Sequence, residues 1–156
     1  MATRRVFFFS LRIGLLNGVI ERQYFLFALE KRTFGVPIAD VVKVVSIERI
    51  YRIPLLSVFF WGFIIHEKRP VPYINLKKRM NMAGRADNEI GVIVRVGSEP
   101  IAFSIDGSYE VVELEREPEP IPMEFKGVMK NFFSARGTHN NRNFIILNVR
   151  ALAPAS

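Results

Sequence analysis

Short apolar runs separated by polar turns dominate the chain, and they predict β-strands with very little helix. The segment from Gln23 to Leu29 is apolar on both of its alternating faces, so we expect this strand to lie buried between two layers. Further strands are predicted over Phe34 to Ile38 and over Val41 to Ile47, which is rich in β-branched residues. The pattern therefore predicts a mainly β protein.

A hairpin is predicted within residues 58–80. Two β-prone runs, Gly62 to Ile65 and Val71 to Leu76, flank the polar connector His66 to Arg69, and charged residues of this kind are typical of a hairpin tip. Gly62 follows three aromatic residues and marks a point where the backbone bends or closely approaches a neighbour.

The second strand of this hairpin contains two prolines, Pro70 and Pro72, which cannot donate ladder hydrogen bonds. We therefore expect it to be an edge strand or to join the sheet only near Tyr73. A short helical turn is predicted over Leu76 to Met82, and the basic run Lys77 to Arg79 is expected to lie in solvent.

The second half of the chain repeats the plan of the first. Gly91 to Leu114 has the same order of strands and turns as Phe25 to Ile47, and the pattern continues to Gly62 and Gly127, which are 65 positions apart. A repeat of this period predicts two similar all-β units, each with about five short strands and the size of a small closed barrel.

Charge is distributed unevenly between the halves. The net charge is +7; residues 1–80 carry 14 Lys and Arg against 5 Asp and Glu, whereas residues 81–156 carry 8 against 10. The first half is therefore basic and the second slightly acidic, an asymmetry that suits either a nucleic acid or an acidic protein partner.

The N-terminal segment 1–20 imitates a targeting signal, because two arginines precede an apolar run. The run from Val6 to Ile20 is shorter than the roughly 18 to 20 residues of a membrane span, Arg12 interrupts it, and no small-residue cleavage site follows. We expect a segment that packs on the domain or is partly disordered; the alternative is membrane association.

Catalytic motifs are missing from the sequence. There is no cysteine, which excludes thiol catalysis and cysteine-bound metals, and the two histidines, His66 and His139, lie in turns without metal-ligand spacing. No glycine-rich phosphate loop and no nucleophile-elbow serine is present. We therefore predict a protein that is not an enzyme and that needs no metal or cofactor.

The order of elements from Gln23 to about Leu152 resembles the CheW-like domain, the adaptor that couples bacterial chemoreceptors to a CheA-type histidine kinase. The resemblance implies two five-stranded, SH3-like barrels around a shared hydrophobic core, with subdomain 1 at about 30–88, subdomain 2 at about 89–145, terminal strands packing across, and residues 1–20 outside the 21–156 domain. The matching stretches are QYFLFALEKRTFGVPIADVVKVV, FFWGFIIHEKRPVPYINLKKRM, IAFSIDGSYEVVEL, FKGVMK and FIILNV.

Several residues depart from the usual pattern of that family: the hairpin tip Ile65-His66-Glu67-Lys68 stands where the family usually has asparagine-leucine-arginine-glycine. Glu67 occupies the place of an arginine at the hairpin tip, Lys43 that of a glutamate on an earlier strand, and Asn75 that of an aspartate after the second strand. The charge pair is thus reversed in sign. We hypothesise that Lys43 and Glu67 form an ion pair across the first barrel; the alternative is that both are independent solvated charges.

The resemblance also implies partner surfaces. A receptor's helical tip would dock in the groove between the barrels, at the positions that match, and the kinase's regulatory domain would meet exposed barrel ends. The protein would then be cytoplasmic, held at receptor arrays, with only indirect contact to the membrane. Val41 and Val111 could instead be ordinary core residues. The implied contacts are Val41, Lys43, Glu67 and Val111, and the implied structural hairpin residues are Gly62, Asn75 and Gly127.

The rival prediction is a small-barrel protein that binds nucleic acid. Basic clusters such as Lys68-Arg69 and Lys77 to Arg79 favour it. The aromatic residues, however, occur in runs such as Phe59 to Trp61, where burial explains them without any base. We therefore expect a protein partner.

Overall fold

The computed structural model describes residues 22–54, 59–85, 87–121 and 131–152. The N-terminal segment 1–20 and Gly127, both named above, lie outside these residues. The described chain is mainly β, as predicted. Its strands are β1 Gln23–Leu29, β2 Arg32–Pro37, β3 Val41–Ser46, β4 Tyr51–Arg52, β5 Phe60–His66, β6 Arg69–Ile74, β7 Ile90–Val96, β8 Glu99–Ser104, β9 Tyr109–Glu113, β10 Phe133–His139 and β11 Arg142–Leu147; its short helices are α1 Leu76–Arg79 and α2 Val149–Leu152.

Two tight turns close the hairpins β5–β6 and β10–β11. His66 pairs with Arg69, and His139 pairs with Arg142, so each turn contains two residues. Both central residues of each turn have positive φ, at Glu67-Lys68 and Asn140-Asn141. Such turns match the right-handed twist of the flanking strands, which explains their use here even with two non-glycine residues.

The predicted repeat is present. The offset from Gln23, where β1 begins, to Ile90, where β7 begins, equals the offset from the start of β2 to the start of β8. The second hairpins of the two copies begin at Phe60 and Phe133 and are separated by a larger offset. The two helices are separated by the same larger offset. Each copy therefore contains a hairpin, a third strand, a second hairpin and a helical turn, and copy one has the short strand β4 in addition. The second copy is longer between its third strand and its second hairpin.

The two copies exchange their first hairpins. One sheet has the strand order β10-β11-β2-β1-β9, so the first hairpin of copy one lies between strands of copy two. The other sheet has the order β3-β7-β8-β6-β5-β4, with the first hairpin of copy two between strands of copy one. We call these sheet A and sheet B. Two parallel contacts join the exchanged hairpins, at Ile145↔Phe34 and Tyr73↔Ala102.

This exchange corrects two expectations from the repeat. The boundary expected near residues 88–89 does not separate the sheets, because sheet B contains every strand from β3 to β8 and sheet A the strands on either side. The counterpart of Gly62 is Ala135 rather than Gly127, since the strand pairing shifts register at both Phe60/Gly62 and Phe133/Ala135. The longer connection in copy two explains why the expectation of one nearly constant offset was wrong.

Three apolar clusters occupy the interior. The largest lies between the sheets and takes residues from both, among them Phe25 and Phe27 of β1 and Val92 and Phe103 of sheet B. β1 also sends Tyr24 and Leu26 into a second cluster on the other face of sheet A. The expected burial of β1 between two layers is thus confirmed.

Each sheet also curls around a small cluster of its own. In sheet B, Val45 of β3 and Ile64 of β5 pack on the same cluster, although four strand pairings separate them. In sheet A, strands from both ends of the sheet do the same. Neither sheet closes by strand pairing within the described residues. The expected fold of two small β units around a shared core is confirmed, as curled sheets rather than closed barrels.

Gly62 occupies the point where β4 meets β5. Its φ is +144°, and a Cβ built there would lie 1.9 Å from the carbonyl oxygen of Tyr51. The predicted close approach of backbone at this glycine is therefore present. Tyr73 also behaves as expected, since it supplies the pairing of β6 to β8 beyond the two prolines.

Because the copies share strands, we expect the sheets to unfold together. The single tryptophan, Trp61, lies in sheet B, whereas far-ultraviolet circular dichroism reports both sheets. The urea transitions recorded by Trp61 fluorescence and by circular dichroism should coincide. Two separated midpoints would show that each sheet unfolds alone and that the exchanged hairpins do not couple them.

Substitution of Gly62 should be costly because of space as well as conformation. We expect Gly62→Ala to lower the free energy of unfolding by about 2 kcal/mol or more, since a backbone carbonyl must move. Gly97→Ala is the matched control: its φ is also positive, at +63°, but a Cβ there meets nothing within 4 Å. It should cost about 1 kcal/mol. Equal losses in urea unfolding would contradict the steric argument.

Candidate protein-interaction site

The four implied partner residues do not form one cluster. Val41, at the start of β3, is 4% exposed and belongs to the central cluster, and Val111 of β9 packs against that cluster while partly buried. Val41 comes from sheet B and Val111 from sheet A, so both lie along the seam between the sheets. Lys43 is half-buried on β3, and Glu67 stands exposed at the hairpin tip.

The hypothesised ion pair between Lys43 and Glu67 is not formed. The Glu67 carboxylate instead approaches its neighbour, with Oε1 3.7 Å from Nε2 of His66, and its side chain is 77% exposed. Lys43 has no carboxylate within ion-pair distance in the described part of the chain. The reason is geometric, because Lys43 lies opposite Ile93 in the β3–β7 ladder while Glu67 projects from a turn. The alternative, two independent charges, is what the structure has.

Asn75 fixes the end of the hairpin. Its Oδ1 accepts a hydrogen bond from the backbone N–H of Lys78 at 3.0 Å, which caps α1, and its own N–H donates to the carbonyl of Phe59 at 2.6 Å. Asn148, the equivalent position of copy two, repeats the backbone contact, with an N–H donated to the carbonyl of Phe132 at 2.7 Å. The implied structural role of Asn75 therefore has a direct physical basis in the cap.

A buried cation, which the sequence did not reveal, joins three segments. The Lys77 side chain is 4% exposed, and its Nζ lies 2.6 Å from Oε1 of Glu30 and 2.8 Å from Oδ1 of Asp106. Asp106 also accepts hydrogen bonds from Asn88 and from the backbone of Glu30. We call Lys77, Glu30 and Asp106 the lysine clasp. It ties α1, next to sheet B, to the β1–β2 turn of sheet A and to the connection between β8 and β9.

The electrostatics of the lysine clasp favour the charged form of the lysine. Burial alone would lower the pKa of Lys77, but hydrogen bonds to Asp106 and Glu30 outweigh it, and the pKa is raised. Because the folded-state pKa is raised, this contribution to stability is complete at neutral pH and is lost only as the pH rises through that folded-state pKa.

Arg79 is a second cation, partly buried next to the clasp. Its Cζ lies 4.1 Å from the ring centre of Phe59 and 5.1 Å from that of Phe132, and its Nη2 donates to the carbonyl of Ala151 at 3.1 Å. Phe59 and Phe132 are equivalent positions of the two copies, so this arginine bridges them. Burial lowers its pKa. The expectation that Lys77 to Arg79 lie in solvent is thus wrong for Lys77, holds for Lys78, and holds only in part for Arg79, which is partly buried.

Two kinds of site are absent from the described residues. No group of three or more histidine, cysteine or acidic side chains gathers there to hold a metal. In the same residues no helix is long and apolar enough to cross a membrane. Among the buried polar side chains, Asn75 caps α1 and Lys77 forms the clasp, and both join segments of the fold.

Comparison with known proteins assigns the class. A family model described as the CheW-like domain matches residues 23–156. The crystal structure of the scaffolding protein TtCheW from Thermoanaerobacter tengcongensis superposes with a TM-score of 0.74 at 25% sequence identity, over 85% of this chain and 92% of that one. No curated protein matches by sequence. Fold and comparison together define a scaffold of chemotaxis signalling.

The chain belongs to the CheW-like domain family. It is a coupling adaptor of the chemotaxis type, and the resemblance found in the sequence is confirmed. The comparisons give no support to the nucleic-acid-binding alternative.

Removal of the buried cation should destabilise the fold. We expect Lys77→Met to lower the free energy of unfolding by about 2 kcal/mol, because two carboxylates lose their partner while only partly reached by water. Lys78→Met is the matched control, since its side chain is exposed, and it should change stability by less than about 0.5 kcal/mol. Urea unfolding at neutral pH measures both. A Lys77→Met protein as stable as Lys78→Met would mean that the lysine clasp adds nothing.

Proposed function

We propose that this protein couples the cytoplasmic helical tip of a chemoreceptor to the regulatory domain of a CheA-type histidine kinase, and that it does so without catalysing a reaction. The proposal places it on the cytoplasmic side of receptor arrays, in contact with the membrane only through the receptor. Scaffolds of this family interact with chemoreceptors and with CheA in general.

One observation carries the proposal: the family match extends over residues 23–156, and thus over both copies and both sheets. An adaptor needs two surfaces held in a fixed relation. The exchanged hairpins supply such a relation, because neither sheet can move without strands of the other copy. This rigidity supports coupling rather than simple binding.

The receptor tip is proposed to dock along the seam. Glu67 and Lys43 offer opposite charges that do not form an ion pair with each other, and Val111 offers apolar surface that is only partly buried. Val41 is too buried to supply much contact area, so its proposed role is to hold β3 in place beneath the tip. Charges at such a seam set register and partner choice more than affinity.

The kinase's regulatory domain is proposed to meet the exposed ends of the curled sheets. Coupling requires both partners to bind at once. The test is a mixture of the full chain, a receptor cytoplasmic tip and a kinase regulatory domain from the same organism, analysed by gel filtration with light scattering. We expect a ternary complex. Binding of either partner alone, with exclusion of the other, would remove the coupling role and leave the family assignment intact.

Charge reversals at Lys43 and at Glu67 of the hairpin tip should act independently. We expect Lys43→Glu and Glu67→Arg each to weaken binding of the receptor tip by about fivefold, and the double variant to show the sum of the two free-energy changes within about 0.5 kcal/mol. The reason is that the two side chains do not pair. Isothermal titration calorimetry measures the affinities, with Lys78→Glu as the control at an exposed lysine. Restored binding in the double variant would show that they pair in the complex.

A further inference from the structure

The internal repeat gives the lysine clasp a counterpart in which one carboxylate is missing. Arg150 is the second residue of α2, as Lys77 is of α1. Gly97 directly follows β7, as Glu30 directly follows β1, and the two turn residues have similar positive φ, at +63° and +56°. The cation of the clasp is therefore repeated, whereas its first carboxylate is replaced by a glycine.

The second carboxylate of the clasp also has a counterpart. Asp106 lies in the connection between β8 and β9, and Asp40 ends the corresponding connection between β2 and β3. Burial raises the pKa of Asp40, and the nearby charge of Arg150 offsets only part of this effect. We call Arg150, Asp40, Gly97 and the neighbouring Arg95 of β7 the counterpart site.

The counterpart site is open where the lysine clasp is occupied. Its four residues line a cavity of about 350 Å³, and Ser134 and Leu147 line the same cavity from sheet A. Arg150 is exposed, whereas the cation of the clasp is buried. A Cβ built on Gly97 meets no atom within 4 Å. The place that the Glu30 side chain takes in the clasp is therefore free here.

The charges of the counterpart site favour one further carboxylate. The charged side chains that line the cavity are Arg95, Arg150 and Asp40, which together carry one net positive charge. In the part of the chain that the structure describes, neither arginine has a carboxylate within 4.0 Å. A guanidinium group binds a carboxylate through two parallel N–H donors. A single carboxylate would bring the net charge to zero.

Charge and lining select a carboxylate over a phosphate or a nucleic acid. A phosphate monoester carries close to two negative charges at neutral pH, and here it would lie beside the carboxylate of Asp40. Single-stranded nucleic acids bind largely by stacking of bases on aromatic rings, and none of the described residues that line the cavity is aromatic. The lysine clasp, in contrast, shows that a carboxylate carried by a tight turn fits a site of this plan.

We propose that the counterpart site binds a glutamate or aspartate side chain that a turn of a partner protein presents to it. The carboxylate takes the place that Glu30 has in the lysine clasp, and the guanidinium groups of Arg150 and Arg95 bind it. This site shares no residue with the proposed receptor contact. It lies between the two sheets and not at the exposed ends proposed for the kinase.

The first test uses the full chain, labelled with ¹⁵N, and three cyclic hairpin peptides that differ at one turn position. That position is glutamate, glutamine or phosphoserine. We expect the glutamate peptide to shift the resonances of Gly97 and Arg150, with affinity that falls as salt rises. It should bind at least about fivefold more tightly than either of the other peptides. Arg150→Gln should abolish its advantage over the glutamine peptide, and Arg95→Gln should reduce it.

The second test fills the counterpart site from within the chain. Gly97→Glu supplies the missing carboxylate, and Gly97→Gln is matched in size and in backbone cost but has no charge. We expect Gly97→Glu to have a thermal midpoint about 2 °C above that of Gly97→Gln, because its carboxylate pairs with an arginine. Gly97→Glu should also bind the glutamate peptide at least about fivefold more weakly than Gly97→Gln does.

The matched control is Arg142→Gln, which removes an exposed arginine of β11 and should leave peptide binding unchanged. Arg95→Gln and Arg150→Gln should keep the wild-type thermal midpoint and the wild-type affinity for the receptor tip, which separates this proposal from the proposed function. Equal binding of the glutamate and glutamine peptides, tighter binding of the phosphoserine peptide, or equal midpoints of the two Gly97 variants would overturn it. So would loss of receptor-tip binding in Arg150→Gln, or light scattering that shows the site already covered by a second copy.

Discussion

The exchange of first hairpins between the two copies is the constraint on which the rest of the structure depends. Sheet A is complete only with the hairpin β1–β2 of copy one, and sheet B only with the hairpin β7–β8 of copy two. The central cluster follows from this, because the exchanged strands present one apolar face to their own sheet's cluster and the other to the shared interior. Two apolar faces on β1 are therefore a requirement of the topology, since this strand serves both interiors.

Two cations, the buried Lys77 and the partly buried Arg79, reinforce the same connection. The lysine clasp joins α1 to the β1–β2 turn. It therefore holds the first hairpin of copy one, which lies in sheet A, next to α1 of the same copy. Arg79, two positions later, stacks on Phe59 and Phe132 and thereby links equivalent points of the two copies. A lysine can be buried here because two carboxylates replace its water. A guanidinium stays charged between two rings because it is weakly hydrated and flat.

Much of the fold could be predicted from the sequence because the spacing of apolar residues and the residue types at turns depend on residues close together in the chain. The bounds of β1, the hairpin around Glu67-Lys68 and the short helix after Ile74 were all predicted. The exchange of hairpins could not be, since a repeat shows that two units are alike and says nothing about which strands pair. Lys77 was assigned to solvent for a similar reason: its partners, Glu30 and Asp106, are 47 and 29 residues away. No spacing rule connects charges brought together by a crossover.

The residues that depart from the family pattern are of two kinds: one holds the fold together, and the other presents a charge to a partner. Asn75 stands where the family usually has aspartate, and the cap survives because an asparagine oxygen accepts the same backbone hydrogen bond. Glu67 stands where an arginine is usual, at a turn position with φ of +49° and an exposed side chain. That change leaves the hairpin closed and alters only the charge presented at its tip. A position that keeps its geometry while its charge reverses is suited to choosing a partner, because the reversal costs little within the fold and acts on whatever docks there.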